Sequence, residues 1–132
     1  MMLKSLNHIG IAVKSIDESV KIYQDILHLG EPEIVEMKEM MLKVAIFKME
    51  TYKIELVEPI SPDTTIARFL EKRGPGIHHL CFNVDNIEQA LEMLKMNGVV
   101  LIDKKPRIGA MGHKIAFVSP KSTNGVLIEL SE

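Results

Sequence analysis

Two stretches of the chain, LNHIGIAV at residues 6–13 and IHHLCFNV at 77–84, write a histidine-bearing strand twice. An offset of 71 residues carries His8 onto His79 and lays NHIGIAVKSIDESV on HHLCFNVDNIEQAL. Ile11 then matches Phe82, Val13 matches Val84, Ile16 matches Ile87 and Val20 matches Leu91. Both strands run into the same helix start, Ser15-x-x-Glu18 and Asn86-x-x-Gln89, which fits an N-cap with a partner three residues on. Apolar residues at helical spacing follow: Ile16, Val20, Tyr23 and Leu27 in the first copy, Ile87, Leu91 and Leu94 in the second. Gly30 and Gly98 punctuate the helix ends. The copies also close alike, on KIELVEP (53–59) and LIELSE (127–132), with Glu55 matching Glu129 at an offset of 74. The three extra residues fit inside a loop. A period of this length marks a duplicated supersecondary unit.

Each copy therefore reads strand, helix, then about three strands, the others being expected near 33–38 and 43–50, and near 99–103 and 113–119. Module one covers about 1–60 and module two about 77–132. The linker, about 61–76, holds a short helix with Ile66, Phe69 and Leu70 inward. The 132 residues suit one domain built from the two modules. The expected fold class is α+β: two tandem βαβββ modules related by a pseudo-twofold, forming a cupped mixed β-sheet with helices outside.

Composition narrows the function classes. Apolar residues make up 46% of the chain, enough for a real core. A net charge of −2 without a basic run gives nucleic-acid binding little support. No apolar run approaches the ~20 residues needed to span a bilayer. The N-terminal stretch lacks the apolar length and small-residue cleavage site of a signal peptide, so a cytoplasmic protein is expected. One cysteine, Cys81, excludes an internal disulfide and a thiolate-rich metal site.

Side chains alternate along a strand. Ile9, Ile11 and Val13 share one face of the first strand, and Leu80, Phe82 and Val84 the same face of its copy. These faces should pack under the helices. His8 and His79 occupy the opposite faces. In the closing strands, Glu55 and Glu129 oppose Ile54 and Leu56, and Ile128 and Leu130. Each module thus offers one His and one Glu on the face away from its helix. A single strand histidine is ordinarily a core or rim residue, and a glutamate near a strand end is ordinarily solvated. Their recurrence at matched positions shifts that balance. If the two faces curl together, two imidazoles and two carboxylates make a nitrogen/oxygen ligand set for a divalent metal. Open coordination positions would then make the metal catalytic, and the absence of cysteine ligands argues against a structural zinc. His78 is read as structural and His28 as helix surface. His113, after GAMG, either contacts a substrate or caps a strand.

Paired modules with one His and one Glu apiece resemble the vicinal oxygen chelate superfamily, which includes glyoxalases, bleomycin-resistance proteins and dioxygenases. Within it, LNHIGIAVKSIDESVKIYQDILHL, KIELVEP, GPGIHHLCFNVDNIEQAL and KPRIGAMGHKIAFVSPKSTNGVLIELSE resemble the methylmalonyl-CoA epimerase family. The last segment is the most specific, for its glycine-rich turn, HKIAF strand and PKS-x-x-GVLIEL ending. The resemblance covers nearly the whole chain. It implies metal ligands at His8, Glu55, His79 and Glu129, with cobalt, manganese, nickel or zinc all compatible. It implies an isomerase of propionate metabolism interconverting (R)- and (S)-methylmalonyl-CoA through an enolate, by 1,1-proton transfer. Glu39 is the implied acid/base residue, Glu36 an alternative to it expected on the same face by alternation, and Glu129 the candidate for the opposite face. Lys104, Lys105, Arg107 and Lys121, with Gly109, Gly112 and His113, are candidates for holding the acyl-CoA substrate. A homodimer is implied. Glu55 departs from members with glutamine there, and Ser119 from members with histidine. The alternatives are a glyoxalase-type lactoylglutathione lyase on the same metal set and a non-catalytic small-molecule binding protein of the same fold.

Overall fold

The first strand, β1 (Leu3–Ala12), leads to Ser15, whose hydroxyl accepts the Glu18 N–H and opens α1 (Ile16–Val20). In the computed structural model, which describes residues 2–109 and 111–132, the contacts divide the chain into two units. One is His8–His78; the other joins the residues up to Asn7 to His79–Glu132. The boundary runs through β1.

In the His8–His78 unit, α1 is prolonged by a π-helical stretch, Lys21–Ile26. β2 (Glu33–Met37), a 3-10 turn (Lys38–Met40), β3 (Leu42–Lys48) and β4 (Lys53–Pro59) follow. Their order in the sheet is β2-β3-β4-β1, with β4 parallel to β1 and antiparallel to β3. Alternation sorts the side chains into two cores. Val13, Ile16, Ala45, Phe47 and Leu56 pack with Ile11, Val20 and Ile54 under α1. On the opposite face, Ala12, Val44, Ile46 and Val57 pack against α2 (Thr65–Arg73) through Ile66, Phe69 and Leu70. These are the inward residues expected of the linker helix. His78 meets the Phe69 ring edge-on at 5.0 Å, a structural contact.

The second unit repeats the plan with β5 (Gly76–Val84), α3 (Ile87–Met96), β6 (Arg107–Ile108), β7 (Lys114–Val118) and β8 (Ile128–Ser131), although β5 begins just before the boundary. The order is β5-β8-β7-β6, with β8 parallel to β5 and antiparallel to β7. Asn86 caps α3 by accepting the Gln89 N–H at 2.9 Å. Ile87, Ala90 and Leu91 of α3 pack on Val84, Ala116, Val118 and Leu130. The chain is thus α+β with two βαβββ modules, as the repeat requires. Among the described residues no helix is long and apolar enough to cross a membrane.

Three local expectations fail for physical reasons. Leu27 is 55% exposed, not inward. The Leu27 N–H bonds to the Ile22 carbonyl five residues back, and this wider winding rotates Leu27 off the α-helical stripe. His28 follows in the left-handed region at φ 57°, beyond the helix it was expected to decorate. Residues 99–103 do not form a strand; only Leu101 bridges to Val118. The Ile102 and Asp103 N–H groups both donate to the Phe117 carbonyl, so the ladder collapses onto one acceptor. Pro106, without an N–H, delays strand pairing until Arg107.

Candidate metal centre

Register places the polar residues. In one unit, Gly10 of β1 is opposite Glu55 of β4. In the other, Cys81 of β5 is opposite Glu129 of β8. Each histidine stands two residues before the partner of its glutamate, hence on the same face and diagonally adjacent. His8 Nδ1 lies 3.1 Å from Glu55 Oε2, and His79 Nε2 lies 3.2 Å from Glu129 Oε1. His8, His79 and Glu129 are buried, and the Glu55 side chain is 17% exposed.

A buried carboxylate beside an imidazole is satisfied as an ion pair, and equally as two ligand atoms awaiting a cation. The spacing bears on the second use. Ligands at right angles around an ion with bonds of ~2.1 Å sit about 3 Å apart. Both pairs have that separation, and both supply nitrogen and oxygen donors suited to a first-row divalent ion. The donor set therefore fits the metal that the sequence pattern implies.

The walls of the two pairs differ. Phe117, opposite Glu129 in β7, sets its ring edge-on to His79 at 5.9 Å. Ile46 takes the corresponding place opposite Glu55. Beyond Phe117, the Arg107 guanidinium lies over the ring at 5.5 Å. Lys104, Lys105, His113 and Lys121 are exposed in the same unit. Gly109 closes the β6–β7 hairpin by donating its N–H to the His113 carbonyl at 2.8 Å. A Cβ there would come within 2.8 Å of the Ile115 side chain, so packing already calls for glycine at 109. Gly112 has φ +76°, a turn conformation that L side chains resist. Ala110 of the GAMG turn lies outside the described residues.

Glu39 sits on the 3-10 turn between β2 and β3, exposed, just before Met41 in the left-handed region at φ 55°. Strand alternation stops at Met37, so Glu36, in β2, does not share a strand face with Glu39. Ser119 is buried, and its Oγ accepts the Lys121 N–H, capping the turn Pro120–Ser122. That is a structural use for a position that departs from the family pattern.

Sequence reasoning missed a second pair of acids. Glu58 Oε1 accepts the Ile16 N–H at 2.7 Å, and Glu132 Oε2 accepts the Ile87 N–H at 3.1 Å. These residues are again offset by 74 and 71, so the end of each closing strand caps the helix of its own module. The offset that joins Glu55 to Glu129 was the available signal.

A sequence profile described as Glyoxalase/Bleomycin resistance protein/Dioxygenase superfamily matches residues 7–117. The chain is 43% identical over 130 residues to the uncharacterized protein YqjC of Bacillus subtilis, covering 98% of this chain and 93% of that one. It is 39% identical over 128 residues to the mitochondrial methylmalonyl-CoA epimerase of Dictyostelium discoideum, covering 96% and 77%. A solved methylmalonyl-CoA epimerase in complex with methylmalonyl-CoA and NH4+ superposes with a TM-score of 0.91 at 29% identity, over 98% of this chain and 94% of that one. With its duplicated βαβββ modules and matched His–Glu pairs, the chain belongs to the glyoxalase/bleomycin resistance protein/dioxygenase superfamily, where its relatives include methylmalonyl-CoA epimerases.

Proposed function

We propose that the protein is a divalent-metal-dependent methylmalonyl-CoA epimerase, with His8, Glu55, His79 and Glu129 as ligands of one ion. The observation that carries this reading is the equal register of the two His–Glu pairs, at 3.1 and 3.2 Å. The likeness to proteins named for that activity supplies the substrate.

The reaction replaces one proton. It leaves the carbon between thioester and carboxylate on one face, and a different proton is delivered to that carbon on the other. A bound divalent ion supplies electrophilic stabilisation of the negative charge that develops on the substrate oxygens. Acid/base chemistry falls to the chain. The Glu39 carboxylate takes the proton on one face, and a carboxyl proton at Glu129 is delivered to the other, each reversing its part in the opposite direction. The turn carrying Glu39 is short and exposed. His79 is held by Glu129 and by the Phe117 edge, which limits its rotation. Lys104, Arg107 and Lys121 are the cations offered to the coenzyme phosphates, with Gly109, Gly112 and His113 forming the turn beside them. A homodimer belongs to the same reading and is supported by the resemblance alone.

Solvent-deuterium exchange into methylmalonyl-CoA tests this. Metal-loaded protein should place label at the central carbon and erase stereochemical purity, and chelator-stripped protein should do neither. Absence of exchange from protein shown to hold metal would remove the epimerase and make the hemithioacetal of glutathione the next substrate to try.

A further inference from the structure

Asp103 occupies the place where a strand was expected, and its contacts explain what replaced it. Phe117 is gripped through both of its backbone groups. Its carbonyl accepts from the Ile102 and Asp103 N–H groups at 3.0 and 3.2 Å, and its N–H donates to Asp103 Oδ2 at 2.8 Å. The other carboxylate oxygen, Oδ1, faces Arg107 Nε at 3.3 Å. One carboxylate thus joins the backbone of the residue that walls His79 to the guanidinium lying over that residue's ring.

An exposed ion pair between free side chains fixes little. This one is different on the acid side. The Asp103 side chain is 18% exposed and anchored to β7, whereas Arg107 is 49% exposed. The ring, with its centroid 5.5 Å from the guanidinium carbon, and the Asp103 carboxylate at Nε together restrict where the guanidinium can sit. Among the described residues Arg107 has no other ion-pair or hydrogen-bond partner, so its terminal nitrogens are available to one further anion. Such a fork suits the oxygens of a phosphate or a carboxylate.

We propose that Asp103 is a positioning residue, holding Arg107 over Phe117 to bind a phosphate of the substrate's coenzyme A portion. The choice of ligand rests on the acyl-CoA reading above. Phosphate is favoured over the reacting carboxylate by location. Arg107 lies on β6, the last strand in the order β5-β8-β7-β6, half-exposed and one ring removed from His79. The malonyl carboxylate must instead reach the ligand pairs.

The test is calorimetric binding of coenzyme A and of pantetheine, which lacks the phosphates, to the full chain. Asp103→Asn keeps an acceptor for the Phe117 N–H and removes the charge facing Arg107. It should weaken coenzyme A binding about five- to tenfold and leave pantetheine binding unchanged. Arg107→Gln should do the same, and the double variant should be no weaker than Arg107→Gln alone, a non-additivity that a merely structural Asp103 would not give. Arg107→Lys, charged but unable to form the fork, should also lose affinity. Wild-type affinity for coenzyme A in Asp103→Asn or Arg107→Lys, additive losses, equal loss for pantetheine, or no coenzyme A binding by the wild type would each overturn the proposal. Coenzyme A binding that follows the expected pattern, without turnover of methylmalonyl-CoA, would keep the proposal and remove the epimerase.

Discussion

His8 and His79 face their glutamates through different ring nitrogens, Nδ1 and Nε2, although their strand positions are equivalent. Equivalence of backbone position thus coexists with two side-chain orientations, one of them held by an aromatic edge. Removing a single ligand should act on the ion before the fold. His79→Ala or Glu55→Ala should abolish retention of a divalent ion, measured by elemental analysis after desalting, with far-ultraviolet circular dichroism unchanged. Glu39→Gln should retain the ion and lose 10²-fold or more of turnover, the usual range for a proton-transfer group. A variant with bound metal and full activity would take Glu39 out of the chemistry. The His and Glu positions were legible because period-two alternation needs only the strand itself. Asp103 was not, since it lies in no strand and its carboxylate is placed by a backbone N–H 14 residues away, with Arg107 four residues on as its second partner.

The helices show the same division between local and distant causes. Both N-caps were readable, since Ser15 and Asn86 accept N–H groups three residues on. The acids of the closing strands were not, because the Glu58–Ile16 and Glu132–Ile87 bonds span 42 and 45 residues. Each places a carboxylate where unsatisfied N–H groups and the helix dipole favour negative charge. Glu58→Gln and Glu132→Gln should each lower unfolding free energy by about 0.5–1 kcal/mol in urea titrations, the part-buried Glu58 more than the exposed Glu132. Equal stability of both variants with wild type would show that the amide caps as well as the acid. The π-helical winding at Lys21–Ile26 was also beyond pattern reading, because an apolar residue at every expected spacing says nothing of how wide the turn is.

Across the molecule, charge pairs outside the candidate centre give stability a pH window. Lys114 Nζ lies 2.8 Å from Glu88 Oε1, tying the start of β7 to α3. The hydrogen bond to Lys114 holds the Glu88 carboxyl below its ordinary 4.5, and the same bond holds the Lys114 ammonium above its ordinary 10.5. A lowered acid stabilises above its unfolded value and loses that effect as pH falls through its folded value. A raised base stabilises below its unfolded value and loses that effect as pH rises through its folded value. The difference in melting temperature between wild type and Lys114→Met should therefore be present between those limits, fade at either end, and shrink in 1 M salt. A difference that persisted after Glu88 is fully protonated would assign it to lost packing.

The shared register of the two pairs also dictates where the gene can gain or lose codons. Between His8 and Glu55 lie 46 residues, and between His79 and Glu129 lie 49, yet the pairings are the same because the three-residue difference falls outside the paired strands. Insertions in those connections are silent at the centre. One residue inserted between Lys53 and Ile54 at the start of β4 would bring Ile54 to the diagonal place, and one inserted between Leu127 and Ile128 at the start of β8 would bring Ile128. Drift in length is therefore confined to the loops, and the distance along the chain between a histidine and its glutamate can vary freely while the gap of about 3 Å between their side chains cannot.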